Sequence, residues 1–154
     1  MKAGAVINDG GDNPDYATDG KYASFYSSSN SECWVGIDLG EGRRVKINRV
    51  RFFPYNKWTR AADYIKGATI EVSNDDSMYN IISTVDQTVH AGWNSYMPAS
   101  RLSAYRYIRI KHDSNSQCKV AEFEVHGVIF NDAFVSSIAS HPWTIVEFDD
   151  GYNT

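Results

Sequence analysis

Short segments in which apolar and polar residues alternate constrain this chain more than any other feature. In WVGIDLG (34–40) the residues Val35, Ile37 and Leu39 share one face, and in YRYIRIKH (105–112) Ile108 and Ile110 do. Such alternation is typical of strands with one buried face, and no segment longer than about ten residues keeps a helical period. The chain is therefore predicted to form six or more short strands in an antiparallel sandwich or barrel.

The segment VKINRVRFF (45–53) contains a change of phase. Val45 and Ile47 alternate in one phase, and Val50 and Phe52 alternate in the next. A slip of one residue between them, at Asn48 and Arg49, predicts a β-bulge or a tight corner. Downstream, the alternating ATIEVSNDD and the returning NIISTV predict a hairpin, whereas residues 1–32 are rich in Asp, Gly, Asn and Ser and predict loop.

The last clear strand, CKVAEFEVHG (118–127), places two glutamates and a histidine on one face. Glu122, Glu124 and His126 fit a catalytic cluster, a metal site or the solvated face of a strand. A glycosidase pair does not fit, because its carboxylates flank a cleft. The pattern stops at Gly127, which predicts a β-domain over residues 1–127 and a C-terminal extension over 128–154.

Composition and motifs exclude several classes of function. The chain has 154 residues, a length typical of one domain. Its 15 basic and 19 acidic residues give a net charge of -4, which argues against a general nucleic-acid binder. No apolar run is long enough to span a membrane, and no secretory signal is expected in the opening residues. GxSxG, HExxH and phosphate-binding glycine motifs are absent from the sequence, so no enzyme is predicted.

Cys33 and Cys118 are the two cysteines of the chain. They have no CxxC or histidine at metal-ligand spacing, so a zinc site is not predicted. They form either one disulfide or two free thiols. A bridge would matter in an oxidising compartment.

Two aromatic loops have the composition of a sugar-binding site. FPYNKWTR and HAGWNSY supply rings that could stack on a pyranose and polar groups that could bind its hydroxyls. The predicted ligand-binding residues are Tyr55, Asn56, Trp58, Arg60, His90, Trp93, Asn94 and Tyr96. The alternative is that the tryptophans plug one end of the sandwich.

A basic stretch overlaps the first of these loops. Between residues 43 and 60 there are seven basic residues and no acidic one, namely Arg43, Arg44, Lys46, Arg49, Arg51, Lys57 and Arg60. The pairs on either side of the expected bulge point away from the apolar face. They predict either a cationic stripe that attracts sulfated or carboxylated glycans or a plainly solvated strand face.

Six segments in order, ATDG, WVGIDLG, INRVRFFPYN, GATIEVSND, YRYIRI and AEFEVHG, resemble the coagulation-factor type C, or discoidin, family of galactose-binding-like domains. This family includes carbohydrate-binding modules of secreted glycosidases, and the resemblance covers about residues 14–127. It implies an all-β, antiparallel jelly-roll β-sandwich of about eight strands. The terminal strands would lie side by side, and loops at one end would form the ligand site. It also implies an extracellular location.

The resemblance further implies a structural calcium ion. Its ligands would be Asp19 of the DG turn, Glu122 of the last strand and backbone carbonyls from residues 16–24, an oxygen shell of the kind calcium takes. At Lys21 the sequence departs from the family, because a second acidic residue often follows the DG there.

The extension 128–154 holds two apolar stretches, AFVSSIA and WTIVEF. It could pack on its own sandwich, add a strand to a neighbouring copy and so build a homo-oligomer or polymer, or link to a further domain. Two functions follow. The first is a non-catalytic extracellular module that binds glycans, and the second is a structural subunit of an extracellular filament or matrix.

Overall fold

Two antiparallel β-sheets pack face to face in the computed structural model, which describes residues 4–55, 65–85, 88–98, 103–113 and 118–132. The strands are β1 (Ala5–Asn8), β2 (Tyr26–Ser28), β3 (Cys33–Asp38), β4 (Arg43–Pro54), β5 (Thr69–Ser73), β6 (Asn80–Thr84), β7 (Asn94–Tyr96), β8 (Tyr107–His112) and β9 (Cys118–Asn131). The five-stranded sheet has the order β1-β3-β8-β5-β6, and the four-stranded sheet has the order β2-β9-β4-β7. The all-β sandwich predicted from alternation is confirmed.

The core lies between the sheets and is built from the faces that the alternation marks. The five-stranded sheet contributes Val35, Ile70, Val72, Ile108 and Ile110, and the four-stranded sheet contributes Tyr26, Val50, Phe52, Val120 and Phe123, all nearly inaccessible to solvent. The predicted hairpin is β5–β6. Residues 1–32 hold more structure than expected, because β1, β2 and a short 3-10 helix at Pro14–Thr18 lie in them.

The phase change in β4 is a bulge, as predicted. Ile47 pairs with Gly127 and Arg49 pairs with His126, so Asn48 has no partner in β9. Val45 and Ile47 before the bulge and Val50 and Phe52 after it are all buried. A second irregularity, between Phe53 and Pro54, is where β9 contains one extra residue.

The boundary predicted at residue 127 falls inside a strand, because β9 continues to Asn131. Val128 and Ile129 pair with Lys46 and Val45. A β-carbon at Gly127 would collide with the carbonyl oxygen of Lys46, so this glycine permits close approach of β4 rather than ending the strand.

The terminal strands do not pair with each other, which corrects the expectation that they lie side by side. β1 pairs with β3 in one sheet, while β9 pairs with β2 and β4 in the other. Both strands line a groove of about 480 Å³, and its lining also includes Asp19, Glu122, Glu124 and His126.

A disulfide joins Cys33 to Cys118, with 6.2 Å between the Cα atoms. The bridge connects the first residue of β3 to the first residue of β9, and therefore links the two sheets. Both cysteines are buried in the core.

Candidate functional site

Three aromatic side chains gather on the outer face of the four-stranded sheet. Tyr22 stacks on Phe53 with 4.4 Å between ring centroids, and Trp93 meets both rings edge-on, at 6.0 Å from Tyr22 and 5.6 Å from Phe53. Arg51 places its guanidinium carbon 4.0 Å from the centre of the Trp93 ring. We call Tyr22, Phe53 and Trp93 the aromatic patch.

Local structure explains why the aromatic patch faces solvent. The bulge at Asn48 sets the phase in which Arg51 and Phe53 point outward while Phe52 points into the core. Tyr22 comes from the loop before β2 and Trp93 from the turn before β7, so both loops deliver a ring onto the same strand. Tyr22 is 54% exposed although Phe53 covers one face of its ring. Exposed aromatic surface beside a hydrogen-bonding cation is suited to a sugar.

A second pair of rings adjoins this surface. Phe25 and Tyr55 lie with 4.0 Å between their centroids, and the Lys119 ammonium is 5.5 Å from the Tyr55 ring. Tyr55 is buried by these contacts. It supports the surface and offers little area to a ligand.

The glutamate and histidine of β9 belong to a charged network with β4. Glu124 accepts a hydrogen bond from Arg51 Nε at 2.5 Å, and its other neighbour, His126 Nε2, is 2.8 Å away. Arg49 Nη2 is 3.5 Å from His126 Nδ1. Burial raises the pKa of Glu124, but hydrogen bonds from Arg51 and His126 outweigh it and the net pKa is lowered. This carboxylate is therefore ionised and paired with its neighbours.

The HAGWNSY loop is held by Asn94. Its side-chain oxygen accepts from the His90 backbone N–H at 2.8 Å, and its amide nitrogen donates to the carbonyls of His90 and Gly92, both at 2.9 Å. Asn94 is buried and His90 is exposed, while Tyr96 is half-buried and stacks on Phe52. Among the predicted ligand residues in this loop, Trp93 joins the aromatic patch and His90 lies at the surface.

Asn56, Trp58 and Arg60, predicted to bind ligand from the other loop, lie outside the described residues. Tyr22 and Phe53 were not predicted as site residues, and Arg51 was predicted only as part of a possible cationic stripe. The alternation in β4 already places Phe53 on the outward face, where an aromatic ring is a signal for binding. The contribution of Tyr22 depends on tertiary structure and has no signal in the sequence.

The structure brings Asp19 and Glu122, the predicted calcium ligands, together. Glu122 Oε1 accepts hydrogen bonds from the backbone N–H groups of Gly20 at 2.6 Å and Lys21 at 3.0 Å. Asp19 Oδ2 accepts a hydrogen bond from the Ser24 hydroxyl at 2.6 Å. The pKa of Glu122 is raised to about 7, mainly by burial and secondarily by the hydrogen bond with Asp19.

Two carboxylates at one buried point suit a hard cation such as calcium. The backbone amides of Gly20 and Lys21 already occupy one oxygen of Glu122. Within the described ranges, no group of three or more His, Cys, Asp or Glu residues is placed to hold a metal. The carboxylates thus fit part of a calcium shell, and the remaining ligands would have to come from backbone carbonyls.

No helix in the described part of the chain is long and apolar enough to cross a membrane. A sequence model of the F5/8 type C domain matches residues 2–123. No curated protein sequence gives a significant match.

The fold is similar to that of several sugar-binding domains. The CBM62 module of Clostridium thermocellum Xyl5A is 25% identical over 82% of this chain and 95% of that chain, with a TM-score of 0.69. The lectin domain of lectinolysin, solved with Lewis B antigen, is 14% identical over 82% and 94%, with a TM-score of 0.69. A Streptococcus pneumoniae fucose binding module is 16% identical over 82% and 92%, with a TM-score of 0.67.

Proposed function

The chain belongs to the F5/8 type C domain family, and on this basis we propose that it is a non-catalytic module that binds carbohydrate through the aromatic patch. The observation that carries the proposal is the contact of the exposed Tyr22 ring with the half-buried rings of Phe53 and Trp93, beside Arg51. An aromatic ring can stack on the C–H face of a pyranose, and a guanidinium can donate to its hydroxyls. Two of the rings come from loops, in keeping with a site delivered by aromatic loops.

The state of the carboxylates supports a function without catalysis. Glu124 is paired with Arg51 and His126, and Glu122 is buried beneath the turn at Gly20. A glycosidase needs one carboxylic acid and one carboxylate on opposite sides of a sugar bond. These two glutamates instead project from the same face of β9.

An extracellular location and a structural calcium ion complete the proposal. The Cys33–Cys118 disulfide would persist in an oxidising environment and would be reduced in most cytosols. Calcium at Asp19 and Glu122 would fix the turn that precedes Tyr22, and so would order one ring of the aromatic patch. The ion would hold the loop and would take no part in chemistry.

Glycan binding by a Trp93→Ala variant tests this site. Proteins of similar fold were solved with Lewis B antigen or described as fucose binding, so an immobilised panel should begin with fucosylated and galactosylated oligosaccharides. The best ligand is then titrated by calorimetry. Because Trp93 is an aromatic anchor, its loss should weaken binding by about tenfold or more.

Trp34→Ala is the matched control, since it makes the same change in the five-stranded sheet. Circular dichroism and thermal unfolding confirm that both variants fold. Unchanged affinity of Trp93→Ala would show that the ligand site lies elsewhere. Failure of the wild-type protein to bind any glycan in the panel would reject the function itself.

A structural subunit of an extracellular assembly is the second candidate. The groove lined by β1 and β9 favours it, together with Val128, which is 59% exposed, and Ile129 beside it. A segment from a neighbouring copy could cover these residues. On this view the extension 128–154 would dock on the next copy. Residues 133–154 of it lie outside the described part of the chain. Light scattering over a range of concentrations would give a rising mass, and removal of residues 133–154 would give a constant monomer mass.

A further inference from the structure

Four cations lie along the outer face of β4, and the bulge keeps them there. Arg44 and Lys46 precede the bulge, and Arg49 and Arg51 follow it. The residues between them, such as Val45 and Val50, are buried. Without the unpaired Asn48, one of the two pairs would point into the core. We call these four residues the cationic stripe.

Only part of this charge is neutralised within the protein. Arg44 pairs with Asp132 at 3.2 Å, and Arg51 pairs with Glu124 at 2.5 Å. In the described part of the chain, no carboxylate lies within salt-bridge distance of Lys46 or Arg49. Lys46 is exposed and Arg49 is half-exposed, with His126 as its neighbour. The centre of the stripe therefore carries two uncompensated positive charges.

The cationic stripe is continuous with the aromatic patch. Arg51 contacts both Glu124 and the Trp93 ring, and Arg49 is the next outward residue along β4. Phe53 and Arg49 are four residues apart, which corresponds to about 13 Å along a strand. Lys46 lies about 10 Å beyond Arg49 in the same direction. A chain of several sugar rings anchored on the patch would extend over these cations.

We propose that this face binds an acidic polysaccharide, with neutral ring surface on the aromatic patch and carboxylate or sulfate groups on Arg49 and Lys46. The inference rests on the proposed function and deepens it by assigning the ligand class. A guanidinium and an ammonium separated along a strand match anionic groups repeated along a polymer. Nucleic acid is the less favoured polyanion, because the protein as a whole has a net charge of -4.

The test compares matched ligands. A hexa-uronate, the same oligosaccharide with its carboxylates reduced to alcohols, a sulfated neutral hexasaccharide and its unsulfated parent are each titrated by calorimetry. The two acidic ligands distinguish the sources of negative charge. We expect at least one acidic ligand to bind more tightly than its neutral parent, and its affinity to fall as NaCl rises from about 50 to 500 mM.

Substitutions locate the charge effect. Lys46→Gln and Arg49→Gln should each weaken binding of the acidic ligand by about two- to fivefold, and the double variant by about tenfold. Neutral ligands should be unaffected by these changes. Lys111→Gln, which removes one positive charge from the outer face of the other sheet, is the control and should leave affinity unchanged.

The outcomes separate this inference from the proposed function. Equal binding of acidic and neutral ligands, or acidic binding that Lys46→Gln and Arg49→Gln leave intact, would overturn the inference and leave carbohydrate binding standing. Single-stranded oligothymidylate binding as tightly as the acidic glycan would also overturn it. Binding to none of the four oligosaccharides would overturn the inference, and the proposed function would fall with it only if the fucosylated and galactosylated panel also gave no binding. Loss of acidic binding in the double variant, with binding of the neutral ligands unchanged, would establish the inference.

Discussion

The Cys33–Cys118 disulfide closes a loop with a sequence separation of 85 residues and joins the two sheets of the sandwich. Reduction of this bridge should destabilise the fold strongly. In the chain-entropy model, the lost cross-link returns conformational freedom to the unfolded state, and a loop of this length corresponds to about 4–5 kcal/mol. For a protein of this size, each kcal/mol shifts the melting temperature by about 2–4 °C. The melting temperature should therefore fall by about 8–20 °C.

Thermal unfolding followed by circular dichroism, with and without a phosphine reductant, measures this shift. Both sulfur atoms are buried, so reduction is carried out under mild denaturation and followed by refolding. Thiol titration must then find two free thiols per chain. A Cys33→Ala/Cys118→Ala variant serves as the control, because the reductant should not change its melting temperature.

A reduced protein that has two free thiols and still melts within about 3 °C of the oxidised protein would refute this expectation. That result would mean that packing between the sheets alone fixes the positions of β3 and β9. A fall in the variant that is larger than the fall on reduction would instead measure the packing lost with the two sulfur atoms.

Three further predictions concern the calcium ligands, an ion pair and a glycine. Calcium at about one hundred times its dissociation constant should raise the melting temperature by about 5–10 °C, and Glu122→Gln or a chelator should abolish the rise. The hydrogen bond from Arg106 holds the pKa of Asp38 below its ordinary 3.8. Because the native state then binds fewer protons than the unfolded state, the free energy of unfolding should fall as pH drops below about 4. Asp38→Asn should reduce that slope, as measured by urea unfolding at a series of acidic pH values. Gly127→Ala should cost about 1–3 kcal/mol in urea unfolding because a β-carbon there collides with β4, whereas Gly92→Ala, with open space around it, should be nearly neutral.

The sequence predicted the parts of the fold that depend on local periodicity. Ile70 and Ile110 both alternate with polar residues and both lie in the core. The bulge at Asn48 was visible because it shifts that alternation by one residue. These features could be predicted because each is recorded in the spacing of neighbouring residues.

What the sequence did not predict depends on contacts between distant segments. The aromatic patch joins Tyr22 to Trp93, whose separation along the chain hides their contact. Gly127 was interpreted as a stop because the close approach of Lys46 cannot be seen in a single strand. β1 lies in a stretch rich in Gly and Asp and is stabilised by pairing with β3 rather than by its own propensity.

The bulge at Asn48 also determines which changes in sequence the outer face of β4 can tolerate. Substitutions on the outer side of β4 alter only the chemistry of the surface, because the side chains beneath remain in place. A single insertion or deletion between residues 44 and 51 would instead exchange the inner and outer positions of half the strand and drive arginine toward Phe123 in the core. The chemistry of this face can therefore change by replacement of residues, while the length of β4 must stay fixed.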